Sequence, residues 1–373
     1  MVARPAPNAL INLPLPYPVF GGAGGRHAIS SIVHHVAAAS HRVAVISDTA
    51  VAPLHAEPVA AQFPAATTRL FTVPPGEQHK TRAQWAELTD ALLAWGAGRD
   101  TTVIAVGGGV IGDLAGFVAA TYMRGVPLIQ VPTTLLAMVD ASIGGKTAVD
   151  TPFGKNLVGA WYHPSAVVVD PELLITLPDA VVRHGFAEMI KHGVIADATY
   201  FQAVLHFADA VRGARAAVPE SVHELHTLIT GSVRIKAAVV AEDHQEGGRR
   251  HILNFGHTIA HAVERVLNYT LPHGEAVAAG MVAEARLAER LALAPAGLAA
   301  TIADAVERAG LPSRIPTGVS LDAVIAATHG DKKSRQGTVR YALPQGLGTM
   351  HEADGTYAVG VTDAEVRLAL GSM

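Results

Sequence analysis

His257 and His261 stand one helical turn apart, and His273 heads a His273-Gly274-Glu275 run twelve residues further on; spaced this way, they can hold a divalent cation between imidazoles. The chain has no cysteine, which excludes thiolate zinc sites, disulfides and cysteine nucleophiles together and leaves His, Asp and Glu as metal donors. A carboxylate ligand must come from another segment, and the best source is Arg183-His184-Gly185-Phe186-Ala187-Glu188-Met189-Ile190-Lys191-His192. Glu188 and Lys191 share one helical face there, but His184 and His192 fall on it too at four-residue steps, so spacing does not choose among them. With oxygen and imidazole donors only, zinc or a similar first-row ion is expected. Arg250, Asn254, His257, His261 and Glu264 follow at steps of four, three, four and three, which predicts one helix over Ile252 to Leu267 with a polar side.

The lysines form a second chemical set. Of 28 cationic residues only seven are Lys (Lys80, Lys146, Lys155, Lys191, Lys236, Lys332 and Lys333), and several lie beside glycines or other polar candidates. A chain that otherwise prefers Arg keeps Lys where a compact ammonium is needed, at phosphates or in proton transfer. Gly145-Lys146 and Gly154-Lys155-Asn156 place two such ammonium groups beside bare backbone within ten residues, an anion-binding combination.

The third set is a glycine turn. Thr101 to Val106 is an apolar strand-like run that feeds Gly107-Gly108-Gly109, and a helical pattern follows with Ile111, Leu114, Val118 and Tyr122 on one face. Strand, glycine turn and helix bring a phosphate up to backbone N–H groups, and Gly107, Gly109 and Gly112 fit the dinucleotide fingerprint. The acid expected roughly 20 residues downstream is missing, since nothing acidic occurs between Asp113 and Asp140. Asp48, just past the strand Arg42 to Ser47, is the substitute for a ribose contact, with helix capping as its alternative role.

The elements that must position these groups follow from length and pattern. At 373 residues two domains are expected. Half the residues are hydrophobic, the formal charge is −4 and there is no basic block, so the footprint of a nucleic-acid binder is absent. Pro14, Pro16 and Pro18 interrupt the early apolar residues, and no apolar run is long enough to span a membrane, so a cytoplasmic protein is expected. A Gly-rich turn at Gly21 to Gly25 precedes a helix from about His27. Strands at Arg42 to Ser47, Thr68 to Val73, Thr101 to Val106 and Val126 to Val131 alternate with helices, one carrying Trp85, Leu88 and Leu92, and Thr133-Thr134 can cap the Leu-rich turn that follows. This predicts an α/β fold: a Rossmann-like, mostly parallel sheet over residues 1–177 and a mainly α-helical domain over 178–373.

The motifs together resemble one family. Gly76-Glu77-Gln78 with Lys80, GGGVIGDLAG at 107–116, PTTLLAMVDASIGGKTAVD at 132–150, GKN at 154–156, AEMIKHG at 187–193, NFGHTIAH at 254–261, HGEAVAAGM at 273–281 and DKK at 331–333 are similar to 3-dehydroquinate synthases, of the sugar phosphate cyclases. The resemblance runs from about residue 40 to 350. It implies a metal, zinc or cobalt, on Glu188, His257 and His273. It implies NAD on Asp48, Glu77, Lys80, Gly108, Gly109, Asp113, Thr133, Thr134 and Thr176, with Lys146 and Lys155 also within reach of it. Asp140, Lys146, Asn156, Lys191, Lys236 and His261 would be catalytic, and Arg124, Lys155, Arg250, Asn254 and one of Lys332 and Lys333 would bind substrate. Two positions depart from the family pattern: Ala50, where some members carry a polar residue beside the nucleotide, and His244, in place of a commoner acid.

The implied reaction turns 3-deoxy-D-arabino-heptulosonate 7-phosphate, a small phosphorylated sugar acid, into 3-dehydroquinate and phosphate through transient oxidation, with a homodimer as the implied assembly. Three rivals remain at this point. A metal-dependent polyol dehydrogenase would share the GGG turn but has little use for seven site lysines. A cyclase of secondary metabolism would tend to lose parts of the GKN, NFGH and DKK set. A non-catalytic sensor would bind ligand without turnover.

Overall fold

The computed structural model describes residues 9–211, 221–329, 339–353 and 355–371. The chain divides into two compact units, Met1–Pro178 with Val218–Val233, and Asp179–Ala217 with Arg234–Met373.

In the first unit the apolar runs become strands β1 (Ala9–Ile11), β2 (Val19–Gly21), β3 (Arg42–Asp48), β4 (Thr68–Val73), β5 (Thr101–Gly107) and β6 (Leu128–Pro132), joined by β9 (Ala166–Val169). They form a seven-stranded sheet in the order β1-β2-β9-β6-β5-β3-β4, in which every pairing but β1 with β2 is parallel. All seven residues of β5 are buried, as a strand covered on both faces requires, and this is why it reads as a continuous apolar run. Helix α1 (Ile29–Val36) follows a 3₁₀ turn, α2 (Arg82–Ala94) starts on the Thr81 hydroxyl, and α3 (Gly109–Thr121) starts at the glycine turn. Leu88, Leu92, Ile111, Leu114 and Val118 from these helices pack with Ala44, Ile46, Val103 and Ala105 of the sheet. The Thr134 hydroxyl accepts from the Ala137 N–H at 3.2 Å, the capping expected after β6.

The sequence from Lys146 to Trp161 forms a hairpin, β7 (Lys146–Thr151) with β8 (Gly154–Trp161), which its hydropathy pattern does not mark as strands. Much of β8 is exposed, so it lacks the apolar continuity that betrays the central strands.

The second unit contains α4 (Asp179–Ala196), α5 (Ala198–Val211), the end of α6 (Val222–Glu242), α7 (His257–Val266) and α8 (His273–Arg290), followed by further helices and short two-stranded ribbons. Its core joins Ile259 and Val263 of α7 to Leu287, Val324, Tyr341, Leu343, Val366 and Leu370. The continuous helix expected through Arg250, Asn254 and His257 does not form. Arg249–Asn254 is a 3₁₀ turn, Gly256 has φ of +80°, and α7 begins only at His257. The cause is tertiary: Gly256 lies against α8, where a Cβ would come within 2.6 Å of the Met281 side chain, so the chain breaks at the residue that tolerates a left-handed turn. On the other side of the same contact a Cβ at Gly280 would sit 2.1 Å from the Gly256 carbonyl oxygen.

No described helix is long and apolar enough to cross a membrane. The Gly280 contact gives a prediction whose sign is decided by magnitudes. Gly280→Ala gains about 1 kcal/mol of helix propensity, but the clash is with backbone, and overpacking of this kind costs about 1–3 kcal/mol or more. A lower urea midpoint is therefore expected, and an unchanged or higher one would show that the two helices separate without cost.

Candidate active site

In the first unit the focus is Lys80, 3% exposed. Its Nζ lies 2.8 Å from Glu77 Oε1, 3.2 Å from Asp113 Oδ2, 2.8 Å from Asn156 Oδ1 and 3.8 Å from Asp150 Oδ1. Three carboxylates thus converge on one buried ammonium, and although burial disfavours the charge, they hold the Lys80 pKa above its usual value. The carboxylates divide the surplus negative charge unequally. Burial works against Glu77, but Lys80 and Lys155 keep its pKa below the ordinary range. Asp150, which hydrogen-bonds Glu77, is pushed up to about 6, chiefly by burial, with Glu77's charge adding to it.

Asp150 is absent from the residues singled out by chemistry, and it is the hinge of this cluster. Its N–H donates to the Lys80 carbonyl at 2.6 Å, and its Oδ1 accepts from the Asn156 N–H at 2.9 Å. It sits where the β7–β8 register shifts, and Asn156 has φ of +56°. An acid at the end of a strand motif gave no signal of this, because both partners come from elsewhere in the chain. Lys155 is half-buried, whereas Lys146 is exposed with Nζ 5.4 Å from the centre of the Trp161 ring.

Around the glycine turn, Gly107, Gly112 and Gly116 are needed for packing. Added Cβ atoms would lie 2.6 Å from Ile111, 3.0 Å from Gln130 and 2.5 Å from Thr147. Gly108 and Gly109 meet only Thr134 and Ala141, at 3.1 and 3.4 Å. The buried Thr133 donates its N–H to the Gly107 carbonyl at 2.9 Å. Asp48 Oδ1 accepts from the Ala50 and Val51 N–H groups, both at 2.9 Å, so the carboxylate does cap the following turn. The Thr176 hydroxyl is held by His55 Nε2 at 2.7 Å and by the Leu173 carbonyl at 3.1 Å. Asp140 lies on a π-turn after β6, and Arg124 is exposed at a turn after α3 with φ of +68°.

In the second unit, ligand atoms of Glu188, His257 and His273 lie within 4.8 Å of one another. Glu188 is 1% exposed and ion-paired to the equally buried Lys191. His257 Nε2 is 3.4 Å and His273 Nε2 3.9 Å from Glu188 Oε1. His257 Nδ1 faces the Phe255 carbonyl at 3.1 Å, and a carbonyl only accepts, so Nδ1 carries the proton. Burial, and next the charge of Lys191, lower the His257 pKa to about 4, leaving the ring neutral. Its Nε2 lone pair therefore points at a carboxylate oxygen, an opposition that a cation between them relieves. The donor set fits a first-row divalent ion.

The other sequence candidates in this unit are placed by local hydrogen bonds. Asp243 accepts from the N–H groups of Gly247, Gly248 and Arg250 at 2.7–3.0 Å, which shapes the turn into Arg250. Arg250, 1% exposed, donates to the His244 carbonyl at 2.8 Å, so the His244 departure meets this contact through backbone that any residue supplies. Asn254 Nδ2 donates to Glu246 at 2.8 Å. Lys236 is buried on α6, and His261 is exposed with its ring 5.5 Å from that of His257. His184 turns to Glu275 at 3.5 Å, and His192 is fully buried. Lys332 and Lys333 lie outside the described residues.

Family models match nearly all of this region: 3-dehydroquinate synthase N-terminal over residues 70–184 and 3-dehydroquinate synthase C-terminal over 185–334. The chain is 44% identical to the 3-dehydroquinate synthase of Symbiobacterium thermophilum over 88% of its own length and 91% of the relative's. It is 48% identical to that of Microcystis aeruginosa over 76% of each. The chain belongs to the 3-dehydroquinate synthase family. Among solved structures, a 2-deoxy-scyllo-inosose synthase complexed with carbaglucose-6-phosphate, NAD+ and Co2+ aligns over 98% of this chain and 99% of that one, at TM-score 0.85 and 26% identity. A 2-epi-5-epi-valiolone synthase from Streptomyces hygroscopicus with NAD+ and Zn2+ bound aligns over 96% of each, at 0.83 and 27%. A maleylacetate reductase from Agrobacterium tumefaciens, at 17% identity and TM-score 0.69, shares the fold.

Asp150 gives a pH prediction for this family member. Its pKa is raised on folding from about 3.8 to about 6, so the folded state binds the extra proton and stability falls as pH rises through that interval. Asp150→Asn removes the titration and should flatten this fall in the melting temperature between about pH 4 and 6. A slope identical in the two proteins would mean the carboxyl is not held protonated.

Proposed function

We infer that this chain is a 3-dehydroquinate synthase, which converts 3-deoxy-D-arabino-heptulosonate 7-phosphate to 3-dehydroquinate and phosphate with NAD and a divalent metal, zinc or cobalt. The observation that carries the reading is the Glu188–His257–His273 cluster, set in a chain with relatives of this activity along most of its length. When bound, NAD supplies reversible hydride acceptance and the ion supplies Lewis acidity toward the ring carbinol. With that chemistry supplied, oxidation at the carbinol would make the neighbouring C–H acidic and allow β-elimination of phosphate, and re-reduction, opening of the sugar ring and intramolecular aldol closure would complete the conversion. The overall conversion is redox-neutral.

The residues of the first unit take the nucleotide: Gly108 and Gly109 by close backbone approach, Asp48, Thr133, Thr134 and Thr176 by polar contacts, and Glu77, Lys80 and Asp113 as a rigid charged edge. Lys146, Lys155, Asn156 and Arg124 meet anionic groups of the substrate, and Asp140, Lys146 and Asn156 relay protons. In the second unit Glu188, His257 and His273 hold the ion. Lys191, paired with Glu188, and Lys236 are buried ammonium groups suited to fixing oxyanions, and Arg250, Asn254 and His261 orient phosphate and carboxylate. Either Lys332 or Lys333 completes the phosphate contacts. A homodimer is the assembly this reading includes.

Incubation with that sugar phosphate, NAD and zinc should release one phosphate per substrate consumed with no net NADH. A strong chelator should abolish release, and added zinc or cobalt should restore it. Glu188→Gln should lower kcat/KM by on the order of 10³-fold, equivalent to several kcal/mol of lost charge stabilisation. NADH accumulating in step with turnover would instead make the protein a polyol dehydrogenase, and preference for a heptulose or hexose phosphate lacking the carboxylate would make it a secondary-metabolic cyclase.

A further inference from the structure

Two donor clusters in the second unit share His273. One is Glu188, His257 and His273; the other is His261, Glu264 and His273, whose ligand atoms also fall within 4.8 Å of one another. The polar stripe in the sequence contained Glu264, and the catalytic reading above gives it no part. It is a carboxylate 1% exposed, on the side of α7 that carries His257 and His261, and its Oε2 lies 3.2 Å from His273 Nδ1. A buried carboxylate costs several kcal/mol unless its oxygens are engaged, so the partner that engages it matters.

A neutral imidazole has one lone pair. If an ion sat in the second cluster, His273 Nδ1 would coordinate it, and the His257 Nε2 lone pair would still oppose Glu188 at 3.4 Å with no cation between them. If the ion sits in the first cluster, His273 donates its Nδ1 proton to Glu264 and presents the Nε2 lone pair toward Glu188, and both histidines have both nitrogens used. His257 shows the same arrangement, with the Phe255 carbonyl in place of Glu264. Outer partners of this kind fix the tautomer and aim of a ligating ring and raise its basicity. Glu264 also ties down the backbone that delivers His273. Its carbonyl accepts from the Tyr269 N–H at 2.7 Å across a turn where Asn268 and Tyr269 have φ of +49° and +59°, four residues before α8 begins at His273.

We propose that Glu264 is a positioning residue that locks His273 in the Nδ1-protonated tautomer and aims its Nε2 at the ion held with Glu188 and His257, so that the second cluster is the support of the first and not a site of its own. This rests on the metal assignment made above. Because the ring of His261 lies 6.0 Å from that of His273, nearly parallel to it, the same carboxylate sets the wall on which the exposed His261 stands.

The test uses the full chain with Glu264→Gln and Glu264→Ala, and Glu188→Gln and His257→Ala as references. Zinc per chain, zinc affinity by chelator competition, the visible spectrum of the cobalt-loaded protein and the melting temperature of the metal-free protein are measured. The expected result is one ion per wild-type chain, zinc affinity about 10–100-fold weaker in Glu264→Ala, a shifted cobalt band, and a smaller loss in Glu264→Gln, which keeps an acceptor. The metal-free melting temperature of Glu264→Gln should stay near wild type, so this variant carries the test if the alanine does not fold. Wild-type affinity and spectrum in both Glu264 variants, with the references weakened, would overturn the positioning role alone. Two ions per wild-type chain, one of them lost in Glu264→Ala, would make Glu264 a ligand and overturn it as well. Unchanged zinc binding in Glu188→Gln and His257→Ala would remove the metal assignment and the proposal with it.

Discussion

A carboxylate at 1% exposure faces two imidazoles in the second unit, and the local structure there follows from the need to satisfy it. Glu188 has the ammonium of Lys191 on one side and the Nε2 atoms of His257 and His273 on the other. Burying a charge is unfavourable by several kcal/mol unless partners replace water, and here one partner is a fixed cation while the others are lone pairs that attract only if an ion joins them. The donor set thus fits a bound cation, and burial together with the charge of Lys191 keeps the His257 imidazole neutral.

The first unit solves a related problem differently. Lys80 gathers Glu77, Asp113 and Asp150, so negative charge is in excess and one carboxyl keeps a proton more readily than usual. The same groups are mechanical: Asp150 joins the loop of Lys80 to the turn of Asn156, its N–H donating to the Lys80 carbonyl and its carboxylate accepting from the Asn156 N–H. Charge balance and loop position are therefore one device, which ties the Gly-Lys-Asn segment to the edge of the parallel sheet.

Glycines allow both arrangements by removing side chains where backbones must approach. Gly112 and Gly116 let α3 close on Gln130 and Thr147, and Gly256 and Gly280 let α7 close on α8. The second contact has a chemical consequence. It breaks the chain before His257, so that this histidine starts a helix and Phe255, just upstream, turns its carbonyl to the ring. Glu284, fully buried, accepts from the Gly256 and Ile259 N–H groups at 2.7 and 3.2 Å and so replaces the side-chain cap that α7 lacks.

By itself the sequence determined the fold class and most of the chemical inventory. Strands buried on both faces must be continuous apolar runs and helices must repeat every three or four residues, and both are local properties written along the chain, as at Thr101–Gly107 and His273–Arg290. The scarcity of lysine and the absence of cysteine were equally plain. Only the tertiary structure decided which donors lie together. His184, His192 and Glu188 share a helical face, yet Glu188 alone of these meets both His257 and His273. The single polar helix expected from Arg250 to Glu264 broke at Gly256 because of a neighbour 25 residues away. Asp150 and Glu284 were invisible for the same reason, and Glu264 was visible only as one member of a polar stripe, without its partner His273. A carboxylate's partners come from segments that spacing does not relate, and burial, which makes those partners necessary, exists only once the chain has folded.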